Sequence, residues 1–476
     1  MREVCMRFSD IITLGKQYLL LGIVFAVILT LVILLGYFVG YKKVFKGDKK
    51  ITKGMMSWFI IFICYLVVVI GATMLSRGSW YENTKLQPLF YSYKEAWNNF
   101  EPREWRNIIL NIFLFVPLGF LLPMGIKKLR VFWKIYLVGF LLTLGIETLQ
   151  LLLRRGVFEL DDILNNTTGA MIGYGCFAVF MLLLSLIKGK QKYLKRTIIL
   201  QIPFLIVLIS FGMIFVTYAK QDLGNLSIAY IIKVDKDSFI VDSDEKYSTS
   251  QESFPVYKTK KYSREETYQF AEKFFNSFGD TIDETRTDLY DETAVYYSVG
   301  GYSLWMDYSG GTYRFTDFDT TFADPIINTV SDATEEDIKS ALEQYGIELP
   351  DGVEFTNDGD GKYTFTANEI ITNGIMYDGT LSCQYYENGK MGSITGNIFQ
   401  CEYYKDFNII SEEDAYKMIE DGKFKTYSNV DKLNIKVSQV TLQYMIDTKG
   451  YYQPIYVFEA DVNGESNEIS IPAIHK

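Results

Sequence analysis

The sequence predicts a two-part chain: an N-terminal all-α polytopic membrane bundle of six transmembrane helices, then an extracytoplasmic α+β domain of helix plus antiparallel-strand units. Three observations carry this. Apolar runs of bilayer length, about 17–25 residues, crowd the first 218 positions. The charge balance then reverses: residues 1–218 hold 25 Lys and Arg against 11 Asp and Glu, net +14, and residues 219–476 hold 22 against 46, net −24. Beyond Asp222 the apolar runs give way to helix-start and turn signals rich in Tyr, Phe, Gly and Asp.

The six expected spans lie near Leu19–Val39, Met56–Met74, Asn107–Pro123, Val131–Leu152, Ile163–Ile187 and Ile198–Tyr218. Pro117 interrupts the third, as a membrane helix tolerates where neighbours re-satisfy the backbone. No cleavage site follows the first run, so a retained helix is expected. The organisation is then residues 1–55, a first transmembrane helix and basic cytoplasmic loop; 56–190, a membrane domain; 191–220, a sixth transmembrane helix; 221–262, a linker; and 263–476, the acidic domain.

Orientation follows from cation bias in short loops. The first loop carries Lys42, Lys43, Lys46, Lys49, Lys50 and Lys53; the third carries Lys127, Lys128, Arg130 and Lys134; the fifth carries Lys188, Lys190, Lys192, Lys195 and Arg196. Their only acid is Asp48. These alternate loops share the cytoplasmic side, which leaves both termini and the acidic half outside. A strongly anionic second half argues against nucleic acid or anionic lipid as its partner.

The stretch from Glu147 to Gly175 holds the candidate site. Charges at membrane depth cost roughly 2.5–3.5 kcal/mol each on insertion scales, so they are functional candidates by default. At about 100° per residue, Glu147, Gln150 and Arg154 share one helical stripe, and Asp162, Asn166, Gly169 and Gly173 share another. With Arg155 and Asp161 these residues sit at the outer end of the fourth span and the outer start of the fifth. Asn107 and Asn111 lie at the outer start of the third, so three helices bring polar groups to one depth. The alternative is structural: Glu147 pairs with an arginine and Asn166 bonds a neighbouring helix only to fix the bundle. Gly169 and Gly173 read as a close-packing face.

In the second half, Ser263, Thr334 and Ser411 each precede acids in a helical first turn. Strand-like runs include Ala294–Tyr308, Lys362–Thr366, Gly379–Tyr386 and Tyr451–Asp461, with Asn388 and Gly389 as a hairpin turn. Asp358, Asp360 and Glu369 have calcium-loop spacing, but Lys362 and Tyr363 occupy positions that need an oxygen ligand and glycine. A turn between strands is expected there. Glu412 and Glu413 are helix-start residues. Of the five cysteines, only Cys383 and Cys401 share a compartment, so one disulfide is open to them. The single histidine, His475, excludes His-based triads and histidine zinc sites. No phosphate loop or serine elbow is present, and no cofactor or metal is expected.

Over roughly Trp58–Leu186 the chain resembles the VanZ-like family of bacterial membrane proteins. The first motif is Asn107 and Asn111 running into Phe115, Val116, Pro117, Leu118 and Gly119 and ending at Pro123. The second is Glu147, Gln150, Arg154, Arg155, Glu159, Asp161 and Asp162, completed by Asn166, Gly169 and Gly173. Glu159 stands where an Asp is expected. The resemblance implies lowered sensitivity to a glycopeptide of the teicoplanin type; the expected partner, a membrane lipid or lipid-linked wall precursor head group, follows instead from the outer-leaflet position of the polar cluster. Ile410–Tyr416, Lys436–Tyr444 and Tyr452–Glu459 resemble the extracytoplasmic domains of YycH/YycI-type accessory regulators, which implies a protein-binding module. Two functions stay open: a wall-antibiotic protection factor acting through its membrane unit, and a membrane-anchored sensor whose outer domain binds a membrane protein partner or wall component. An enzyme on a lipid-linked substrate stands third, without a nucleophile or metal constellation to support it.

Overall fold

The computed structural model describes residues 52–75, 86–188, 194–290, 293–323, 326–425 and 432–474. The chain divides into two compact units, one ending at Gln221 and one starting at Asp222. Among the described residues, five helical stretches are long and apolar enough to cross a membrane. The run Leu19–Val39 and His475 lie outside the described residues.

The first unit is built from α1 (Lys53–Ile70) with a wide π-turn over Gly71–Leu75, α2 (Tyr91–Asn99), α3 (Pro102–Gly125), α4 (Phe132–Leu152), α5 (Leu160–Ile187), α6 (Leu194–Ile199) and α7 (Ile202–Lys220). Helix α3 begins with Pro102 in its first turn, where a missing N–H costs nothing, and continues through Pro117 and Pro123. The apolar stretch expected over Ile198–Tyr218 is broken at Leu200 and Gln201, ahead of Pro203.

Helices α3 and α5 meet backbone to backbone. A Cβ placed on Gly169 would strike the Ile112 carbonyl, one on Gly173 the Val116 carbonyl, and one on Gly119 the Ala170 carbonyl. Three glycines on two helices therefore form a single seam, and the expected close-packing face is present. Phe115, Leu118, Ile135, Ala170 and Tyr174 fill the core around it. Helix α1 is tied to α3 by side chains: Trp58 Nε1 donates to the Leu121 carbonyl at 2.8 Å and Tyr65 Oη to the Leu114 carbonyl at 3.1 Å. Helix α7 packs through Phe211 and Phe215 onto Trp105, with Tyr218 stacked on Phe100.

Among the described residues, the second unit is a 13-stranded mixed sheet carrying helices. Its strands are β1 (Phe239–Ser243), β2 (Ser253–Thr259), β3 (Asp288–Leu289), β4 (Thr293–Tyr297), β5 (Tyr302–Asp307), β6 (Tyr313–Asp317), β7 (Glu354–Gly359), β8 (Lys362–Thr372), β9 (Ile375–Tyr385), β10 (Met391–Asn408), β11 (Leu433–Ile446), β12 (Tyr451–Val462) and β13 (Glu465–Pro472). Its helices are α8 (Arg264–Ser277), α9 (Phe318–Thr321), α10 (Glu335–Glu343) and α11 (Glu412–Glu420). The main path runs β1-β11-β12-β2-β10-β6-β5-β4-β3, with β13 added to β12, and β9, β8 and β7 continuing from β10. Among the described strand pairs of this unit only β1–β11 is parallel.

All three expected helix starts are present. Ser263 and Thr334 form capping boxes with Glu266 and Asp337, and Ser411 accepts the N–H of Asp414. Asn388 and Gly389 turn the β9–β10 hairpin, with Gly389 at φ +74. Asp358 and Asp360 lie at the β7–β8 turn, as the non-calcium reading expects, and Glu369 occupies a bulge in β8.

Among the described residues, the two largest packed cores of this unit are distinct. One, with Phe275, Leu304, Phe315, Tyr363 and Phe365, sits under α8 and α10; the other, with Phe458, Ile419 and Ile471, sits under α11. The stretch 221–262 is not merely a linker. It supplies β1, paired with β11, and β2, paired with β10 and β12, because its alternating Phe239–Val241 and Phe254–Tyr257 segments find partners far along the chain. Cys383 and Cys401 are both free thiols, buried in different clusters. Burial pushes each up to about 12.

Candidate functional site

The polar stripes meet where α4 ends and α5 begins, the opposite end of α4 from Lys127, Lys128, Arg130 and Lys134. Thr143, Glu147 and Gln150 line one helix and Asp161, Asp162, Asn165 and Asn166 the other. All seven are buried, at 7% exposure or less.

Each group is positioned by a specific bond. Glu147 Oε2 accepts the N–H of Glu159 at 3.0 Å; Glu159 is the N-cap of α5, so the carboxylate satisfies an orphan donor at the positive end of the helix. Asp161 accepts the N–H groups of Phe90 at 2.5 Å and Ser92 at 2.8 Å, capping α2. Asp162 accepts from Asn111 Nδ2 at 2.5 Å, joining α5 to α3. Asn165 Oδ1 accepts from the Tyr93 hydroxyl at 2.5 Å, and Asn166 Nδ2 donates to Thr143 Oγ1 at 2.9 Å.

The π-turn of α1 contributes carbonyls. A π-turn widens the backbone ladder and recurs at functional sites. Gln150 Nε2 donates to the Thr73 carbonyl at 2.8 Å, and Arg155 Nη1 to the Met74 carbonyl at 3.0 Å. Since a carbonyl can only accept, the Gln150 amide orientation is fixed by chemistry, and its Oε1 is left buried without a partner. Asn166 Oδ1 and Asn165 Nδ2 are likewise buried and unpaired. An unpaired buried polar atom costs about 1–3 kcal/mol, and native structures hold few of them.

The structure thus brings together Asn111, Glu147, Gln150, Arg155, Asp161, Asp162 and Asn166. Arg154 is exposed and takes the left-handed conformation, φ +52, just past the end of α4. Asn107 is also exposed, on α3, and its side chain makes no hydrogen bond to the described residues, so it is not drawn into the cluster. Sequence reasoning missed Thr143, Asn165, Tyr93 and Ser92. Thr143 stands one turn before Glu147, a spacing that could have marked it; α2 gives no comparable signal. No group of three or more His, Cys, Asp or Glu suited to a metal ion occurs among the described residues.

Residues 57–183 match the family model described as VanZ/LLP1. The chain carries a VanZ-like domain. Protein VanZ of Enterococcus faecium is 26% identical over 163 residues, spanning 34% of this chain and 91% of that protein. The matched region contains α3, α4 and the polar part of α5, so every cluster residue named above lies inside the VanZ-like domain. A C-terminal domain follows it. Among solved structures, the Bacillus megaterium YpeB C-terminal domain is similar at 12% identity, covering 45% of this chain and 94% of that one, with a TM-score of 0.21.

Proposed function

We propose that this membrane protein lowers sensitivity to teicoplanin-type glycopeptides, or otherwise serves envelope homeostasis, through the polar cluster of its VanZ-like domain. In this reading the chain crosses the membrane six times, the cluster opens to the outer leaflet, and the C-terminal domain is extracytoplasmic. Support for the sidedness is the cation bias of the loops containing Lys42–Lys53, Lys127–Lys134 and Lys188–Arg196.

The observation that carries the site is the buried, unpartnered amide oxygen of Gln150, joined by one unpartnered amide atom on each of Asn165 and Asn166. Helix packing alone gains nothing from them, whereas a ligand supplying donors would. The ligand is the head group of a membrane lipid or lipid-linked wall precursor. Its N–H or O–H groups meet the Gln150 oxygen, and Arg154 or Arg155 contacts its phosphate.

The test is drug protection in cells expressing wild type, Gln150→Met, Asn166→Leu and Arg155→Ala at equal membrane abundance. Gln150→Met removes both the orphan oxygen and the Nε2 donor to the Thr73 carbonyl, so the melting temperature measured alongside separates a ligand role from a structural one. Loss of teicoplanin protection with an unchanged melting temperature supports the site. Full protection in every variant overturns it.

A further inference from the structure

The C-terminal domain holds a cleft that the membrane site does not involve. It lies beside β10 where that strand changes partner: β6 pairs with it through Gly396 and β2 takes over from Cys401, leaving residues 397–400 between the two pairings. The chain crosses this gap through hydrogen bonds from Lys260 N to the Gln400 carbonyl and from Gly310 N to the Lys260 carbonyl. Helix α8 and the segment after α10 form the opposite wall of a half-open cleft of about 350 Å³. That is at the small end of ligand pockets, roughly 300–1,000 Å³, and holds a ligand of one or two rings.

Its lining is aromatic and uncharged in balance. Tyr262, Phe270, Tyr313 and Tyr377 contribute rings, Gln400 an amide, and Lys273 and Glu348 one charge of each sign. The rings sit there because glycines make room. A Cβ on Gly311, itself at φ +68, would strike the Tyr262 ring, and one on Gly396 would strike the Tyr313 ring. Lys260 Nζ lies 4.7 Å from the centroid of the Tyr262 ring, and Phe270 packs on Tyr313 with centroids 5.2 Å apart, so both rings are held in place. The Tyr313 hydroxyl has no hydrogen-bond partner among the described residues, and burial raises its pKa, so it remains a donor at neutral pH.

The chemistry narrows the ligand. Nucleotides and phosphate polymers are disfavoured by a half-chain of net charge −24 with one lysine at the cleft. An uncharged saccharide fits: its C–H faces lie on aromatic rings, its hydroxyls reach tyrosine hydroxyls, and an acetamido group places its methyl on Ile398 and its amide at Gln400. We propose that this cleft binds an uncharged N-acetylated saccharide of one or two rings.

The experiment titrates the full-length protein in detergent with the β-1,4-linked disaccharide of N-acetylglucosamine, by calorimetry and saturation-transfer NMR. Inorganic phosphate and trialanine are the comparison probes. The disaccharide should bind wild type and transfer saturation from aromatic protons. Tyr313→Phe, which removes one hydrogen bond, should weaken it about five- to tenfold. Tyr262→Ala should weaken it by more, and the exposed Gln400→Ala, which leaves the fold untouched, also measurably. The proposal is overturned if wild type melts cooperatively but binds no disaccharide. It is equally overturned if all variants bind alike, or if trialanine or phosphate binds the cleft instead.

Discussion

The carboxylate of Asp161 accepts the backbone N–H of Ser92 at 2.8 Å, so a residue in the first turn of α5 caps the first turn of α2. Helix α2 has only nine residues and starts from Phe90 in the left-handed conformation, without a side-chain cap of its own. Its start depends on an acid 69 positions away in sequence. Asp161→Ala should therefore destabilise the membrane unit by about 1–2 kcal/mol, the range for a lost cap. Thermal unfolding in detergent measures it, and Asp161→Asn, which retains one acceptor oxygen, should recover part of the loss.

The glycine seam gives a second expectation. At Gly173 an added methyl meets the Val116 carbonyl, a backbone atom that cannot swing away. Gly173→Ala should cost about 1–3 kcal/mol by overpacking, while Gly145→Ala, on α4 with open space around it, should be neutral or slightly stabilising. Equal melting temperatures for the two variants would refute the close approach.

A pH dependence is expected in the C-terminal domain. Half-burial raises the Glu369 carboxyl above its ordinary value, against a smaller lowering by the Tyr444 N–H it accepts. Asp378 adds a further upward push. A carboxyl raised in the folded state holds its proton more tightly there than in the unfolded chain. Stability therefore falls as pH rises from the unfolded value near 4.5 through the raised folded value, and the penalty is complete above it. Glu369→Gln keeps an acceptor for Tyr444 and removes the charge. The variant should match or exceed wild type at pH 7, and the gap should close below pH 4.5. A gap independent of pH would contradict this assignment.

Much of the membrane unit was legible because bilayer length and helical periodicity are properties of local sequence. The stripe containing Glu147 and Gln150 and the stripe containing Asp162 and Asn166 do meet, and Gly169 and Gly173 do lie on a close contact. Helix α2 was not legible, since its nine residues, polar or aromatic apart from Ala96, have no run of apolar positions and its cap comes from α5. Asn107 shares a face with Asn111 only approximately: one turn at 3.6 residues leaves a rotation, and here it carries Asn107 to an exposed position. In the second unit, Ser263, Thr334 and Ser411 announced their helices through local caps. Strands β1 and β2 were missed because their partners lie at positions 433–437 and 401–408, and a polar segment such as 240–253 does not show locally what it will pair with.

The π-turn at Gly71–Leu75 has a consequence for how the membrane unit would respond to occupancy. Its Thr73 and Met74 carbonyls are held by Gln150 and Arg155, two of the residues assigned to the ligand. The same donors therefore serve as a latch on the end of α1. A head-group phosphate that draws on Arg155 competes with its bond to Met74, so filling the site and loosening the end of α1 are linked equilibria, and each must shift the other by the same free energy.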